Sequence, residues 1–443
     1  MKSRGSVAFG FLALIFIGAI LLASPWARTQ GGWGGWQAAL FTSFSAVCVT
    51  GLTIVEIAAE YTRAGQIVII TLVEIGCLGL MTCGTFLLVA IGRRLSLSRE
   101  FSLMNAYGVE QIQGLRGLIC WVVGSMLTVE LVWAAIMYPR FAAMDPGNAA
   151  YLSLFYSVMG FCNAGFGILP GSLAPFANDH AMLLVLAAET ILGGSGFLVI
   201  FNLCTFKFLR RKTGGAGRLS LHTKVVLRVS LFLLAFAFLA FLVLEWNGVL
   251  KDFPFWNKFS VAFYQAVTPR TCGFCVTPTE SLKPVTRLMY ETLMMIGGAP
   301  GSAAAGIKVT TFAVLVYTIK AMCSGESETV ISRRLVPNEI VRESFVIAVA
   351  LLTILVMVTA ALFVTEAESG IALDALFFEA VSAITTTGLS VADTTARLSA
   401  SGKMVIMAAM FAGRLGALSV VMLIGDRESK RHVRFPTEEL VVG

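Results

Sequence analysis

Val47-Cys48-Val49-Thr50-Gly51-Leu52 is a neutral turn of small residues, and the same design returns three times along the chain. The second copy reads Cys162-Asn163-Ala164-Gly165-Phe166 and the third Thr268-Pro269-Arg270-Thr271-Cys272-Gly273-Phe274. The fourth is Ile384-Thr385-Thr386-Thr387-Gly388-Leu389. One glycine in a loop carries no information, but four, each followed by Leu or Phe and about 110 residues apart, mark an internal repeat. Each turn follows a moderately apolar stretch, at 36–47, 148–161, 256–267 and 371–384. As helices, such stretches of about 12 residues reach roughly 18 Å, about half of a ~30 Å hydrocarbon core. A helix of that length enters a membrane and turns back, and bare backbone at that depth is tolerated only in protein or beside water.

Composition sets the class. Of 443 residues, 57% are hydrophobic and 13% are charged, against roughly 25% charged in a soluble domain. The mean hydropathy is +0.82. This excludes a cytosolic enzyme, a secreted disulfide scaffold and a nucleic-acid binder, and it predicts an all-α polytopic membrane protein. Three histidines argue against a His-based metal site, and the nine cysteines sit mostly in apolar runs. Apolar runs lie near 6–24, 64–91, 118–138, 181–206, 225–246, 286–322, 344–365 and 403–425. They predict eight crossings with both termini on one side. The first run follows Lys2 and Arg4 but opens the first repeat, so it reads as a span rather than a signal peptide. Most of the 33 Lys and Arg fall in 1–5, 92–117, 205–228, 320–342 and 425–443, densest at Lys207, Arg210, Arg211 and Lys212. That bias makes these stretches and the termini cytoplasmic. The basic clusters read as topology and lipid-headgroup contacts, with docking of a cytosolic partner as the sharper reading.

The expected organisation is four span–re-entrant pore loop–span repeats around one pseudo-four-fold pore: 1–92, 93–208 with its preceding linker, 209–322 with an intramembrane gate loop, and 323–425, followed by a cytoplasmic tail, 426–443. Each re-entrant helix aims its C-terminal carbonyls at the common axis. Glycine admits positive φ, which lets successive carbonyls face inward, and a ring of carbonyls replaces the hydration shell of a monovalent cation. The turns carry no carboxylate, which fits K⁺ or Na⁺ better than Ca²⁺ or Mg²⁺. The candidate filter is Val49, Thr50, Gly51, Asn163, Ala164, Gly165, Thr271, Cys272, Gly273, Thr386, Thr387 and Gly388, acting through backbone oxygens. The second span of each repeat carries a glycine pair: Gly76/Gly79, Gly193/Gly196, Gly298/Gly301 and Gly413/Gly416. These read as close helix approach or as room for a pore.

On the four turns, the chain resembles the Trk/Ktr/HKT superfamily of cation transporters over essentially its whole length. Its compact form is most similar to the bacterial KtrB type of potassium-translocating subunit; the related TrkH type carries extra N-terminal helices. The resemblance implies K⁺ as transported ion with Na⁺ as the alternative, and a homodimer in the bacterial inner membrane. It also implies a separate cytosolic KtrA-type nucleotide-binding ring. No organic cofactor and no nucleic acid is expected. In the superfamily, serine at the first turn glycine accompanies Na⁺ transport, so Gly51 favours K⁺. The resemblance makes the break at Gly297, Gly298, Pro300, Gly301, Ser302 and Gly306, followed by Lys308, a gate. It gives Arg414 a part in that gate, where its charge repels cations and its N–H groups reach loop carbonyls.

Other signals are weaker. The spacing from Gly301 to Lys308 departs from a phosphate-binding loop, because Ile307 intervenes. Gly193-Gly194-Ser195-Gly196 resembles an intramembrane serine hydrolase motif, but His180, His222 and His432 sit at or outside span ends. Cys272 and Cys275 form a C-x-x-C pair without a redox fold around it. Glu74, Glu189 and Glu291 read as pore-helix supports, with proton coupling as the alternative. Arg270 reads as an external tether.

Overall fold

The computed structural model describes residues 2–79, 115–204 and 219–416. The cluster at Lys207, Arg210, Arg211 and Lys212, the tail 426–443, His432 and nearly all of 92–117 lie outside the described residues. So do the expected boundaries near 92, 208 and 425.

Four long helices open the four quarters: α1 (Lys2–Leu22), α4 (Leu115–Met144), α8 (Leu221–Glu245) and α12 (Asn338–Thr365). A short helix follows each: α2 (Trp36–Cys48), α5 (Ala149–Phe161), α9 (Phe255–Val267) and α13 (Leu373–Ile384). These match the half-membrane stretches to within two residues. The second leg of each quarter is α3 (Arg63–Leu78), α6 (His180–Ser195) continued by α7 (Phe197–Cys204), α10 (Pro284–Met295) continued by α11 (Val309–Cys323), and α14 (Ala400–Leu415). Among the described residues, α4, α8 and α12 are long and apolar enough to cross a bilayer alone. The pair α6–α7, bent by 99°, qualifies as a broken span. A hairpin of two-residue strands, Val330–Ile331 with Arg334–Leu335, lies between α11 and α12.

The apolar runs 64–91, 181–206 and 403–425 are each expected as one crossing. The described helices instead stop at Leu78, Ser195 and Leu415, because Gly79, Gly196 and Gly416 adopt φ of 73°, 80° and 83°. L side chains rarely take that conformation, so glycine makes a clean break there. In these three pairs the second glycine is thus a helix terminator, and Gly196 is also a close approach, since a Cβ there would lie 2.7 Å from Pro300 O. The first is the packing residue: a Cβ at Gly76, Gly193 or Gly413 would strike the carbonyl of Val47, Phe161 or Ile384 of its own short helix. Side-chain caps start three second legs, with Thr62, Asp179 and Ser399 accepting from Gly65, Met182 and Gly402 amides.

The quarters close into a ring. Each second leg packs on the short helix of the next quarter: α3 on α5, α6 on α9, α10 on α13, and α14 back on α2. The short helices are buried on most of their surface. Large apolar side chains on α8 and α12, such as Phe232, Leu239, Val243, Val356 and Val364, point outward and stay exposed. That is the surface a bilayer covers.

Candidate functional site

The four turns meet at the centre of this ring. In three of them the short helix ends in a Schellman motif. Val49, Asn163 and Thr386 take φ of 55°, 54° and 48°. The next amide returns five residues: Thr50 N to Ser45 O, Ala164 N to Met159 O and Thr387 N to Ser382 O, at 2.8–2.9 Å. The third turn differs: Cys272 N reaches Thr268 O at 3.1 Å, and Thr271 carries the positive φ of 66°. Left-handed backbone at Val49, Thr271 and Thr386 is strained, because β-branched residues rarely adopt it, and costs about 1–3 kcal/mol each. Two residues on, Gly51, Gly165, Gly273 and Gly388 also have positive φ, from 67° to 91°.

The glycines face one another in order. A Cβ on Gly51 would strike Ala164 O; one on Gly165 would lie 2.9 Å from Cys272 O; one on Gly273, 2.6 Å from Thr387 O. A Cβ on Gly388 would strike Thr50 O and close the circle. Each turn therefore abuts the carbonyl of the next around a single axis. All twelve candidate filter residues lie in this ring. The hydroxyls of Thr50, Thr271 and Thr386 are buried there without a partner.

Above the ring lies a cavity of about 630 Å³ lined by Gly51, Gly165, Gly273, Gly388 and the segments that follow them. Its charged lining is acidic: Glu56, Glu280 and Asp393. Sequence reasoning missed these three. Their signal was a single acid five to seven residues past the turn glycine in three of the four copies.

Below the ring, residues 296–308 leave helical structure between α10 and α11. The segment doubles back, with Gly297 N donating to Ile307 O and Ile307 N to Met295 O, at 3.0 and 2.9 Å. It is tied to the break in the second quarter by Ala299 N to Gly194 O (3.0 Å) and Phe197 N to Gly301 O (3.2 Å). Arg414 donates to Ala303 O at 2.6 Å and also to Gly76 O at the end of α3. One side chain of the fourth quarter thus joins the loop of the third to the helix end of the first. Lys308 donates to Ala304 O, which anchors the loop from within. The expected gate residues are therefore all brought together.

The other sequence expectations divide. Arg270 is a tether but not an external one: it donates to the carbonyl and hydroxyl of Ser230 in the middle of α8, at 3.4 and 3.2 Å. Glu189 supports a short helix through Ser157, whereas Glu74 lies with Glu130 and Cys162. Cys272 and Cys275 are free thiols.

The TrkH family of cation transport proteins matches the sequence over residues 11–432. The chain belongs to that family. Among its curated relatives, the Ktr system potassium uptake protein B of Bacillus subtilis is 34% identical, over 99% of this chain and 96% of the relative. The potassium/sodium uptake protein NtpJ of Enterococcus hirae is 31% identical over the same shares. The crystal structure of the potassium transporter TrkH from Vibrio parahaemolyticus superposes with a TM-score of 0.74 at 18% identity, covering 96% of this chain and 86% of that one. At that identity the match shows the fold. As a member of the TrkH family, the chain is a membrane transport protein and not an enzyme. Ser195 fits this: its hydroxyl is turned back onto Ile191 O of its own helix at 2.6 Å.

Proposed function

We propose that this chain is a potassium uptake subunit whose selective pore is the ring of four turns. The closed order of turn glycines, each against the next turn's carbonyl, carries the reading. Backbone oxygens converging on one axis replace a cation's hydration shell. The relatives named for potassium uptake agree with it. In this reading the four quarters are the repeats 1–92, 93–208, 209–322 and 323–425, and the chain crosses the bacterial inner membrane eight times with both termini cytoplasmic.

A cation gathers in the acidic vestibule, where Glu56, Glu280 and Asp393 raise its local concentration. It sheds water against the carbonyls of the turns and passes down its electrochemical gradient. Beneath the ring, the segment from Gly297 to Gly306 lies across the way out, and Arg414 repels cations and pins that segment in place. Opening requires the loop to leave Arg414 and Gly194. A homodimer, with a KtrA-type nucleotide-binding ring docked on the cytoplasmic face, would supply that displacement. Sodium is the second reading, favoured by the potassium/sodium name of one relative.

Rubidium-86 uptake into proteoliposomes, with Na⁺ as competitor, tests the reading. Uptake that resists Na⁺ in wild type and becomes Na⁺-sensitive in Gly51→Ser supports a K⁺ filter. Equal competition in wild type moves the assignment to mixed K⁺/Na⁺ transport. Absence of both Rb⁺ and Na⁺ flux from folded protein overturns the pore.

A further inference from the structure

Glu189 of α6 is fully buried and makes no ion pair among the described residues. Counted back from the first glycine of each pair, its counterparts are Leu72, Met294 and Ala409. Three quarters thus place an apolar side chain where the second places a carboxyl. The room comes from α5, since a Cβ on Gly160 would lie 2.9 Å from Glu189 Oε2. The counterparts of Gly160, counted from the turn glycine, are Ala46, Thr268 and Ala383. The carboxyl and the space for it therefore occur together in one quarter.

Hydrogen counting then fixes the chemistry. Ser157 Oγ lies 2.7 Å from the backbone oxygen of Glu130 on α4 and 2.5 Å from Glu189 Oε1. A hydroxyl has one hydrogen and a backbone carbonyl has none. The counterpart of Ser157 in the first quarter is Ser43, which gives its hydrogen to Ile15 O of α1 at 2.6 Å. With Ser157 likewise committed to the long helix, its contact with Glu189 needs a second hydrogen, and the carboxyl is the group that can bring it. Glu189 Oε2 has no partner. That suits the carbonyl oxygen of a neutral acid, whereas an unpaired buried carboxylate is far more costly.

We propose that Glu189 carries a proton in the folded protein and donates it to Ser157, so that a neutral carboxyl braces the second pore helix and holds the Asn163–Gly165 turn in the ring. Glu189 is then a positioning residue for the filter, and the proposal deepens the pore reading. The titratable groups around the brace are Glu130, Glu74 and Cys162, which bring a carboxyl oxygen each and a thiol sulfur within 4.8 Å of one another, with Tyr264 and Cys272 from the third quarter. None of these is cationic, so nothing in this set favours ionisation of Glu189. Removing the proton sets Glu189 and the Glu130 carbonyl in competition for one hydroxyl hydrogen, and the brace loosens.

Infrared spectroscopy of the purified protein at neutral pH, paired with Rb⁺ flux, tests this. Wild type should show a protonated-carboxyl C=O band that Glu189→Gln lacks. Glu189→Gln keeps an N–H for Ser157 and should hold flux within about twofold, while Glu189→Leu loses the hydrogen bond and about tenfold in flux. Wild-type flux should decline at alkaline pH, and Glu189→Gln should not follow it. A band unchanged by Glu189→Gln overturns the proposal, as does a Gln variant that falls as far as the Leu variant. If wild type carries no cation at all, the pore reading fails, and the infrared band still decides whether Glu189 holds its proton.

Discussion

The third quarter and the other three solve the same backbone problem differently. In the first, second and fourth, the short helix ends in a Schellman motif and the helix of the second leg ends at a positive-φ glycine, Gly79, Gly196 or Gly416, with helix resuming at Phe197 in the second. In the third, Cys272 closes on Thr268, Arg270 reaches back to α8, and the second leg breaks over residues 296–308. One residue with positive φ is enough to end a helix. A thirteen-residue loop therefore does something more than end it. Its bonds to Gly194, Phe197 and Arg414 place it beneath the ring, and in the proposed reading the odd quarter is the moving part and the regular quarters its frame.

Damage to the frame should have the greatest consequence. Gly388→Ala puts a Cβ onto Thr50 O and a left-handed strain on alanine, so K⁺/Na⁺ discrimination in competition flux assays should fall by about 10- to 100-fold, the equivalent of 1–3 kcal/mol. The equivalent insult outside the ring, Gly416→Ala, meets nothing within 4 Å among the described residues. It should cost about 1 kcal/mol of backbone strain and lower the melting temperature slightly, with discrimination unchanged. Equal loss in both would dissolve the distinction between ring and break.

Damage to the moving part should act in the opposite direction. Arg414→Ala removes charge-assisted bonds to Ala303 and Gly76 worth about 1.5–3 kcal/mol each. Flux should rise several-fold while thermal stability drops. A smaller effect belongs to the vestibule. Neutralising Glu56, Glu280 and Asp393 together should lower uptake a few-fold at low ionic strength and converge on wild type at high salt, because exposed charges are screened there.

Much of this was legible in the sequence, for physical reasons that differ by element. The turn glycines stood out because only glycine meets the next carbonyl so closely, and a four-fold repeat multiplies that demand into a pattern. The short helices were legible because half a bilayer fixes their length. The break at 296–308 was announced by the run Gly297-Gly298-Ala299-Pro300-Gly301. The breaks at Gly79, Gly196 and Gly416 were not, since a lone glycine in an apolar run reads equally as a packing site until its φ is known. Arg270 was misplaced because a cation beside a turn suggests solvent, while its partner, Ser230, sits forty residues away in mid-helix. The vestibule acids were hidden because three residues so far apart in sequence share a cavity only after the ring has closed.

In the proposed reading a selective ring stands above a plug supplied by the third quarter. Rb⁺ flux through proteoliposomes holding a deletion of 300–305, measured beside wild type at equal reconstituted protein, tests it most directly. Flux should be higher in the deletion with Na⁺ still excluded, because the ring is untouched and the way out is cleared. Flux equal to or below wild type, from a deletion that folds and melts cooperatively, would contradict it.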